Sequence, residues 1–332
     1  RPSMEMATKS DKWLALHLLP VAPVAHVPMT VAFPVEAKAP SGAPLVSIIV
    51  TSYNRPAKVP EAIQSSFEQS YAAIEVVIVD DHSTHADMPN TLNNLEVQFS
   101  DANNAKAFPG KTRKLTIVRN PQNMYLGAAR NIGVEAASGD LLAFLDDDDE
   151  MLPHAIETLV TTMRNTNADI VGGRPWCFNP GTPKEQAGDI QLLGGPMESI
   201  FKNSLGGPLV LVRRASMRTL GGYTTERTGC EDYELLVRAV IMNLRWERAV
   251  LPIYWYIVDA PGSMLSAMSK YDCSQRILRW FKGMLDPLYK FMPELVRAYK
   301  KAAHASGRGV VHSRWCDAAF ILCVSSLFDV VF

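Results

Sequence analysis

Apolar and polar positions fall into a repeating order along the first half of the chain: a short β-branched run, a polar turn, then helical spacing. Val46-Ser47-Ile48-Ile49-Val50 opens the pattern and ends in Thr51-Ser52-Tyr53-Asn54-Arg55-Pro56. Pro60 suits the first turn of a helix whose apolar face holds Ala62, Ile63 and Phe67. Glu75-Val76-Val77-Ile78-Val79 predicts a second strand, ending in Asp80-Asp81-His82-Ser83-Thr84. A variable polar stretch runs to about Lys114, and Leu115-Thr116-Ile117-Val118 reads as a third strand closed by Arg119-Asn120-Pro121. Gly127 to Ala137 has helical spacing, and Ser138-Gly139-Asp140 turns the chain into Leu141-Leu142-Ala143-Phe144-Leu145. That last run has no polar break, as expected of a strand buried on both faces. Strand and helix thus alternate four times before residue 168, which predicts βαβ units and a parallel sheet.

The second half is less regular. Pro153–Thr166 reads as a helix, Ile170-Val171 as a strand, and the Gly- and Pro-rich stretch Gly172 to Gly195 as a mobile loop. Leu209–Val212 is strand-like and Arg214–Leu220 helical. After Gly221-Gly222-Tyr223, the acids Glu231, Asp232 and Glu234 open a helix with Leu235, Leu236, Ala239, Val240 and Leu244 on its apolar side. Arg245–Val250 and Ile253–Val258 predict a strand pair around Pro252, and the tail from Tyr271 is helical in pattern. Residues 1–44, rich in Pro, Ala and Val, are expected to be a linker or the edge of a preceding unit. The expected organisation is therefore a linker (1–44), a central domain (45–265, divided near residue 171) and a helical extension (266–332).

Composition narrows the class. The chain has 332 residues, is 47% hydrophobic and carries a formal charge of −1, which suits one large or two modest domains and no nucleic-acid partner. Its five cysteines are scattered without metal spacing, so free thiols in a reducing, cytoplasmic setting are expected. No uninterrupted apolar run is long enough to span a membrane. The apolar end, Ala318 to Phe332, suits peripheral membrane contact, and the start at Arg1 suits a piece of a longer chain.

The chemistry gathers at strand ends. Leu145 is followed by Asp146-Asp147-Asp148-Asp149-Glu150, five consecutive acids where an α/β sheet holds its ligands. Carboxylates so placed repel one another unless a cation shares the site, and hard ions such as magnesium or manganese bridge carboxylate to phosphate. The competing reading is a solvated loop capping the next helix. Asp80-Asp81 would lie on the same sheet edge.

Five pieces in this order resemble the inverting nucleotide-sugar glycosyltransferases of the family-two type. They are Ser47–Arg55, Val77–Ser83, Gly127-Ala128-Ala129-Arg130-Asn131, Phe144–Asp149 and Glu231-Asp232, spanning roughly residues 45 to 265. The resemblance implies a single Rossmann-like A fold (GT-A), an α/β fold with a mostly parallel central sheet flanked by helices. It places Thr51, Tyr53, Asn54, Arg55, Asp80, Asp81 and Arg130 around the nucleotide, with Asp81 accepting the imide N–H of uracil. It makes Asp148, with Asp146, the ligands of a manganese or magnesium ion, and Asp259 lies where an oxygen ligand could replace a His that many relatives carry. Asp146 and Asp147 then face the donor sugar, and Asp232, beside Glu231, is the general base. Asp81 can equally be an N-cap, and Thr228-x-x-Glu231 fits a capping box. Tyr256 to Met264 departs from the pattern: many relatives carry an Arg after the Tyr and a His before Gly-Ser-Met, and this chain has neither.

The expected activity is metal-dependent, inverting transfer of a sugar from a nucleoside-diphosphate sugar, with UDP as the expected carrier, to an acceptor hydroxyl in polysaccharide or glycoconjugate synthesis. Two alternatives remain at this point. One is a catalytically silent nucleotide-sugar-binding module. The other is a nucleotidyltransferase, against which Thr51-Ser52-Tyr53-Asn54 offers no phosphate-binding glycine.

Overall fold

The computed structural model describes residues 42–178, 188–189, 209–226 and 231–257. The elements in chain order are β1 (Val46–Ser52), α1 (Val59–Phe67), β2 (Ala73–Asp80), α2 (Met88–Gln98), α3 (Asp101–Ala107), β3 (Thr112–Arg119), α4 (Leu126–Ala136) and β4 (Leu141–Asp146). They continue as β5 (Glu150–Met151), α5 (Ala155–Thr166), β6 (Ile170–Phe178), β7 (Gly188–Asp189), β8 (Val210–Arg213), α6 (Arg214–Leu220), α7 (Glu231–Ile241) and β9 (Trp246–Ile257). The strands form one mixed sheet in the order β3-β2-β1-β4-β8-β6-β9-β5, with β7 on β6. The β3-β2-β1-β4 half is parallel throughout, as the alternating pattern demands. Strand β8 runs antiparallel to both β4 and β6, so the second half is mixed.

Alternate residues of the central strands serve opposite helical layers. Ile48, Val50, Ala143 and Leu145 pack in one cluster with Ile63 and Phe67 of α1, Leu92 of α2 and Leu159 of α5. On the other face, Phe144 meets the Tyr223 ring edge-on at 4.9 Å, and Ile49 lies so near α4 that a Cβ on Gly133 would stand 2.4 Å from its Cγ2. Both faces being covered explains the unbroken apolar run in β4. Truncating Phe144 to alanine would cost about 3–5 kcal/mol.

The opposite end of the sheet holds a buried carboxylate. Glu75 on β2 accepts from Ser47 Oγ (2.6 Å), Ser138 N (2.7 Å) and Ser138 Oγ (2.9 Å), with Lys114 Nζ at 3.3 Å. Burial alone would raise its pKa, but those donors and the lysine outweigh it and hold the carboxyl below the ordinary range. A group whose folded pKa is depressed stabilises the protein above its unfolded pKa, and that contribution is lost as pH falls through the folded value. Glu75→Gln is expected to lower stability at neutral pH by about 1.5–3 kcal/mol, the usual worth of hydrogen bonds to a charged group. Denaturant melts at pH 7 and pH 3 test this, and the variant's deficit should shrink at the acid end.

Four sequence expectations need correction. The polar stretch before Lys114 contains α2 and α3, with α2 burying Met88, Leu92 and Leu95, an i, i+4, i+7 stripe in otherwise polar sequence. The loop expected from Gly172 is strand β6 as far as Phe178; the remainder of Gly172–Gly195 is outside the described residues apart from β7. The strand pair around Pro252 is one strand, β9, parallel to β6. Pro252 is tolerated because it stands opposite Arg174, where the ladder is irregular and no N–H is needed. Helix α7 stops at Ile241, short of Leu244, and Asn243 takes a left-handed φ of 54°. Among the described residues no helix is long and apolar enough to cross a membrane. Asp259, Thr228, the first 41 residues and the helical tail fall outside the described residues.

Candidate active site

Register brings the acidic strand ends together. Ser52 of β1 pairs with Asp80 of β2, and Thr51 pairs with Asp146 of β4, so the carboxyl ends of three neighbouring parallel strands finish level. This is where an open α/β sheet receives ligands.

At the β2 end, Asp81 is buried, its N–H donating to the Ser52 carbonyl at 2.8 Å. Its Oδ1 accepts from Asn120 Nδ2 and Met124 N, both at 2.8 Å, which orients the carboxylate. Asp80 accepts from Ser83 N at 3.1 Å and so shapes the turn. Tyr53 is exposed beside this edge, whereas Thr51 is buried. Asn54 adopts a φ of 57°, and its Oδ1 accepts from Thr84 N (2.7 Å) and His85 N (2.9 Å). It therefore staples the two strand-end loops together. Asn120, which fixes Asp81, was legible only as the residue closing β3.

At the β4 end, the four aspartates alternate. Asp149 N donates to the Asp146 carbonyl at 3.1 Å, making a tight turn. Asp147 and Asp149 point inward and are buried, whereas the side chains of Asp146 and Asp148 retain 31% and 21% of their exposure. That alternation separates the Asp-x-Asp pair from its neighbours, which sequence alone blurs. Burial pushes Asp147 up to about 7 against the pull of Arg55, and it pushes Asp149 well up, reinforced by Asp146, Asp148 and Asp147. Asp148 is raised for the same reason, burial first and Asp146 second, with Arg55 opposing. Asp147 Oδ2, Asp149 Oδ2 and Tyr254 Oη are buried without a hydrogen-bond partner.

Two arginines answer this charge. Arg55 Nη1 lies 3.0 Å from Asp147 Oδ1 and 2.6 Å from Asp148 Oδ2. Arg130, on α4, donates from Nη2 to Asp146 Oδ1 at 2.8 Å, and its Cζ stands 5.1 Å over the Tyr223 ring. Its side chain is only 4% exposed. Burial disfavours its charge, but Asp146, Tyr223, Asp232 and Glu231 together outweigh burial and raise its pKa. The family resemblance places Arg130 around the nucleotide; in the structure its buried guanidinium is paired with Asp146 and lies over Tyr223.

Arg130 is also the link to the second half. Glu231 is buried and raised by burial, with Arg130 opposing and Asp232 reinforcing. Asp232 is half-buried at the start of α7, its Oδ1 accepting from Tyr233 N at 2.7 Å. Close packing of α4 sets this juxtaposition. Asn131 exchanges two hydrogen bonds with the Tyr223 backbone (2.9 and 2.8 Å), and Gly222, at φ 83°, leaves room for its amide. Gly127 lies against the same segment: a Cβ there would come within 2.1 Å of the Thr224 carbonyl oxygen. Gly127→Ala is therefore expected to cost about 1–3 kcal/mol in thermal unfolding, the usual range for overpacking, and to reduce activity by moving α4 away from α7. Tyr223, Asn131 and Gly127 as organisers of the site were not singled out by the sequence reading.

The donors suit a hard divalent cation. Asp146 and Asp148 offer partly exposed carboxylate oxygens, and unpartnered buried oxygens of Asp147 and Asp149 stand behind them. Among the described residues no group of three His, Cys, Asp or Glu side chains forms a ready-made metal cage. An ion such as magnesium, held by one or two carboxylates and completed by phosphate and water, needs none.

A level edge of parallel strands, an inward-outward acidic turn and an acidic helix start facing it define a nucleotide-sugar transferase fold of the A type. The "Glycosyl transferase family 2" model matches residues 47–208 of the chain. An uncharacterised glycosyltransferase of Haemophilus influenzae is 30% identical over 206 residues, 58% of this chain and 61% of that one. The Campylobacter jejuni GalNAc(5)-diNAcBac-PP-undecaprenol beta-1,3-glucosyltransferase is 31% identical over 129 residues, covering 39% of this chain and 38% of its own. Among solved structures, residues 1–349 of Staphylococcus aureus TarS in complex with UDP-GlcNAc superpose with a TM-score of 0.55 at 20% identity, covering 73% of this chain and 66% of that one. The matched region spans about three-fifths of the length of the Haemophilus relative.

Proposed function

We propose that this protein transfers a sugar from a UDP-sugar to an acceptor hydroxyl, with inversion at the anomeric carbon, in the synthesis of a polysaccharide or glycoconjugate. The observation that carries this reading is the position of Arg130, paired with the donor-side carboxylate Asp146 at 2.8 Å while its charge is also favoured by the α7 carboxylates Glu231 and Asp232. A transferase needs that arrangement: a diphosphate site and a base on opposite sides of one reacting carbon. A silent binding module would need only the first.

Asp81, held by Asn120 and Met124, accepts the uracil imide N–H, and the exposed Tyr53 borders the base. Asp148 and Asp146 would hold a manganese or magnesium ion, with Asp259 the replacement ligand where many relatives carry a His, and Asp147 is the donor-side carboxylate behind them. That ion, when bound, offsets the charge growing on the leaving diphosphate. Asp232 takes the proton of the acceptor hydroxyl as its oxygen attacks the anomeric carbon. The C–O bond to the new acceptor forms as the bond to the diphosphate oxygen breaks, and the electron pair leaves with UDP. Glu231, buried beside Asp232 and within the field of Arg130, is the second carboxylate of this acidic pair. The Campylobacter jejuni glucosyltransferase supports the reaction class, and TarS bound to UDP-GlcNAc supports the donor class.

Incubation with a panel of UDP-sugars and manganese, followed by UDP release, tests the reading. Proton NMR of the product should report an anomeric configuration opposite to the donor's. Retained configuration would contradict the single-displacement mechanism.

A further inference from the structure

We propose that the groove between α1 and the β5–β9 pair is a second binding site, for a neutral oligosaccharide. Its volume is about 580 Å³, within the roughly 300–1,000 Å³ usual for small-molecule sites. Gln64 on α1, Glu68 capping it, Gln98 at the end of α2, Glu150 of β5 and Trp255 of β9 are among its lining. Helix α1 packs on the sheet face of Ile48 and Leu145, whereas α4 covers the face of Ile49. The groove therefore belongs to the opposite layer from α4 and is distinct from the site assigned to the reacting sugar.

The lining has the chemistry of a saccharide site. Sugars offer hydroxyls to planar carboxylates and carboxamides and lay their C–H faces on aromatic rings. The planar groups are arranged in advance: Gln98 Nε2 donates to Gln64 Oε1 at 3.1 Å, and Gln64 Nε2 donates to Glu68 Oε1. Each carboxamide keeps a second N–H, and Glu68 a second oxygen, for hydroxyls. Trp255 is half-buried and pairs across the ladder with Glu150, so ring and carboxylate share one side of the sheet. Trp176, its neighbour on β6 with ring centroids 6.4 Å apart, extends the same aromatic surface. Neither tryptophan belongs to the main hydrophobic cluster, so packing of that cluster does not account for them. Glu61, whose charge Lys58 offsets from 3.6 Å, joins Glu68 and Glu150 in the lining, and no Lys or Arg among the described residues does. Phosphorylated or uronate chains are repelled by such a wall, and neutral ones are not. The role, though not the binding, rests on the proposed function: a glycan held here stays near the transfer site between additions, at a raised effective concentration.

An array of neutral and uronate-containing oligosaccharides, probed with the full chain in EDTA and without nucleotide, tests this. Neutral oligosaccharides should be retained and uronates should not. Trp255→Ala, and Gln64→Ala combined with Gln98→Ala, should each weaken that binding about tenfold, the usual effect of losing one aromatic contact or two hydrogen bonds. The glutamine pair lies on helix surfaces and carries the test should Trp255→Ala fail to fold. UDP with manganese should leave the retained oligosaccharides in place. The inference is overturned by no retention of neutral glycans, by equal retention of uronates, by unchanged binding in the folded variants, or by displacement with UDP and manganese. A chain that retains neutral glycans here but releases UDP from no UDP-sugar would keep this site and lose the proposed transfer.

Discussion

Asp232→Asn is expected to lower sugar transfer by about 10²–10⁴-fold, the usual contribution of a positioned general base, while UDP affinity stays near the wild-type value. The expectation follows from where the side chain stands. Asp232 opens α7, is half-buried, and faces the donor cluster only across Arg130. Asparagine keeps its size and its place at the helix start, where it can still accept from Tyr233 N. What it loses is the capacity to take a proton. Single-turnover transfer and calorimetric UDP titration, run on the same preparation, separate the two effects. Equal losses in both would mean that Asp232 is part of the nucleotide site or of the fold rather than the base.

The second large effect belongs to the acidic turn. Asp148→Ala should reduce transfer on the order of 10³-fold, since stabilisation of the leaving diphosphate by a bound cation contributes several kcal/mol. The loss should persist at saturating donor and be only partly recovered by raising manganese. Asp147→Ala should behave differently. Asp147 is buried with one oxygen on Arg55 and the other unpartnered, so its removal relieves a raised carboxyl as well as breaking an ion pair. Its stability cost should accordingly be smaller than its depth suggests, and melting of the two variants side by side provides the comparison.

The parallel half of the sheet was legible because three of its strands are strong local signals. Val46–Val50, Glu75–Val79 and Leu141–Leu145 are short apolar runs ended by polar residues, and each is a strand within a few residues of the expected bounds. Helix α2 was hidden because only Met88, Leu92 and Leu95 are buried in eleven residues, too sparse a stripe to outweigh its asparagines. Strand β9 was misread because Pro252 ordinarily breaks a ladder, and nothing local says that the partner β6 is irregular at the facing position. For the site, chain order revealed the acids but not their directions. Which aspartates face inward depends on the turn closed by Asp149 N and the Asp146 carbonyl, and four identical residues carry no phase. The pairing of Arg130 with Asp146 and Tyr223 was equally silent, because it joins α4, β4 and the segment before α7 through tertiary packing alone.

Calorimetric titration of UDP into the wild-type protein, with and without manganese, tests the central claim most directly. The account predicts saturable binding that requires the cation and favours UDP over cytidine, adenosine and guanosine diphosphates, because Asp81 can accept the uracil imide. Failure of UDP and of every other nucleoside diphosphate to bind, with manganese present, would contradict it.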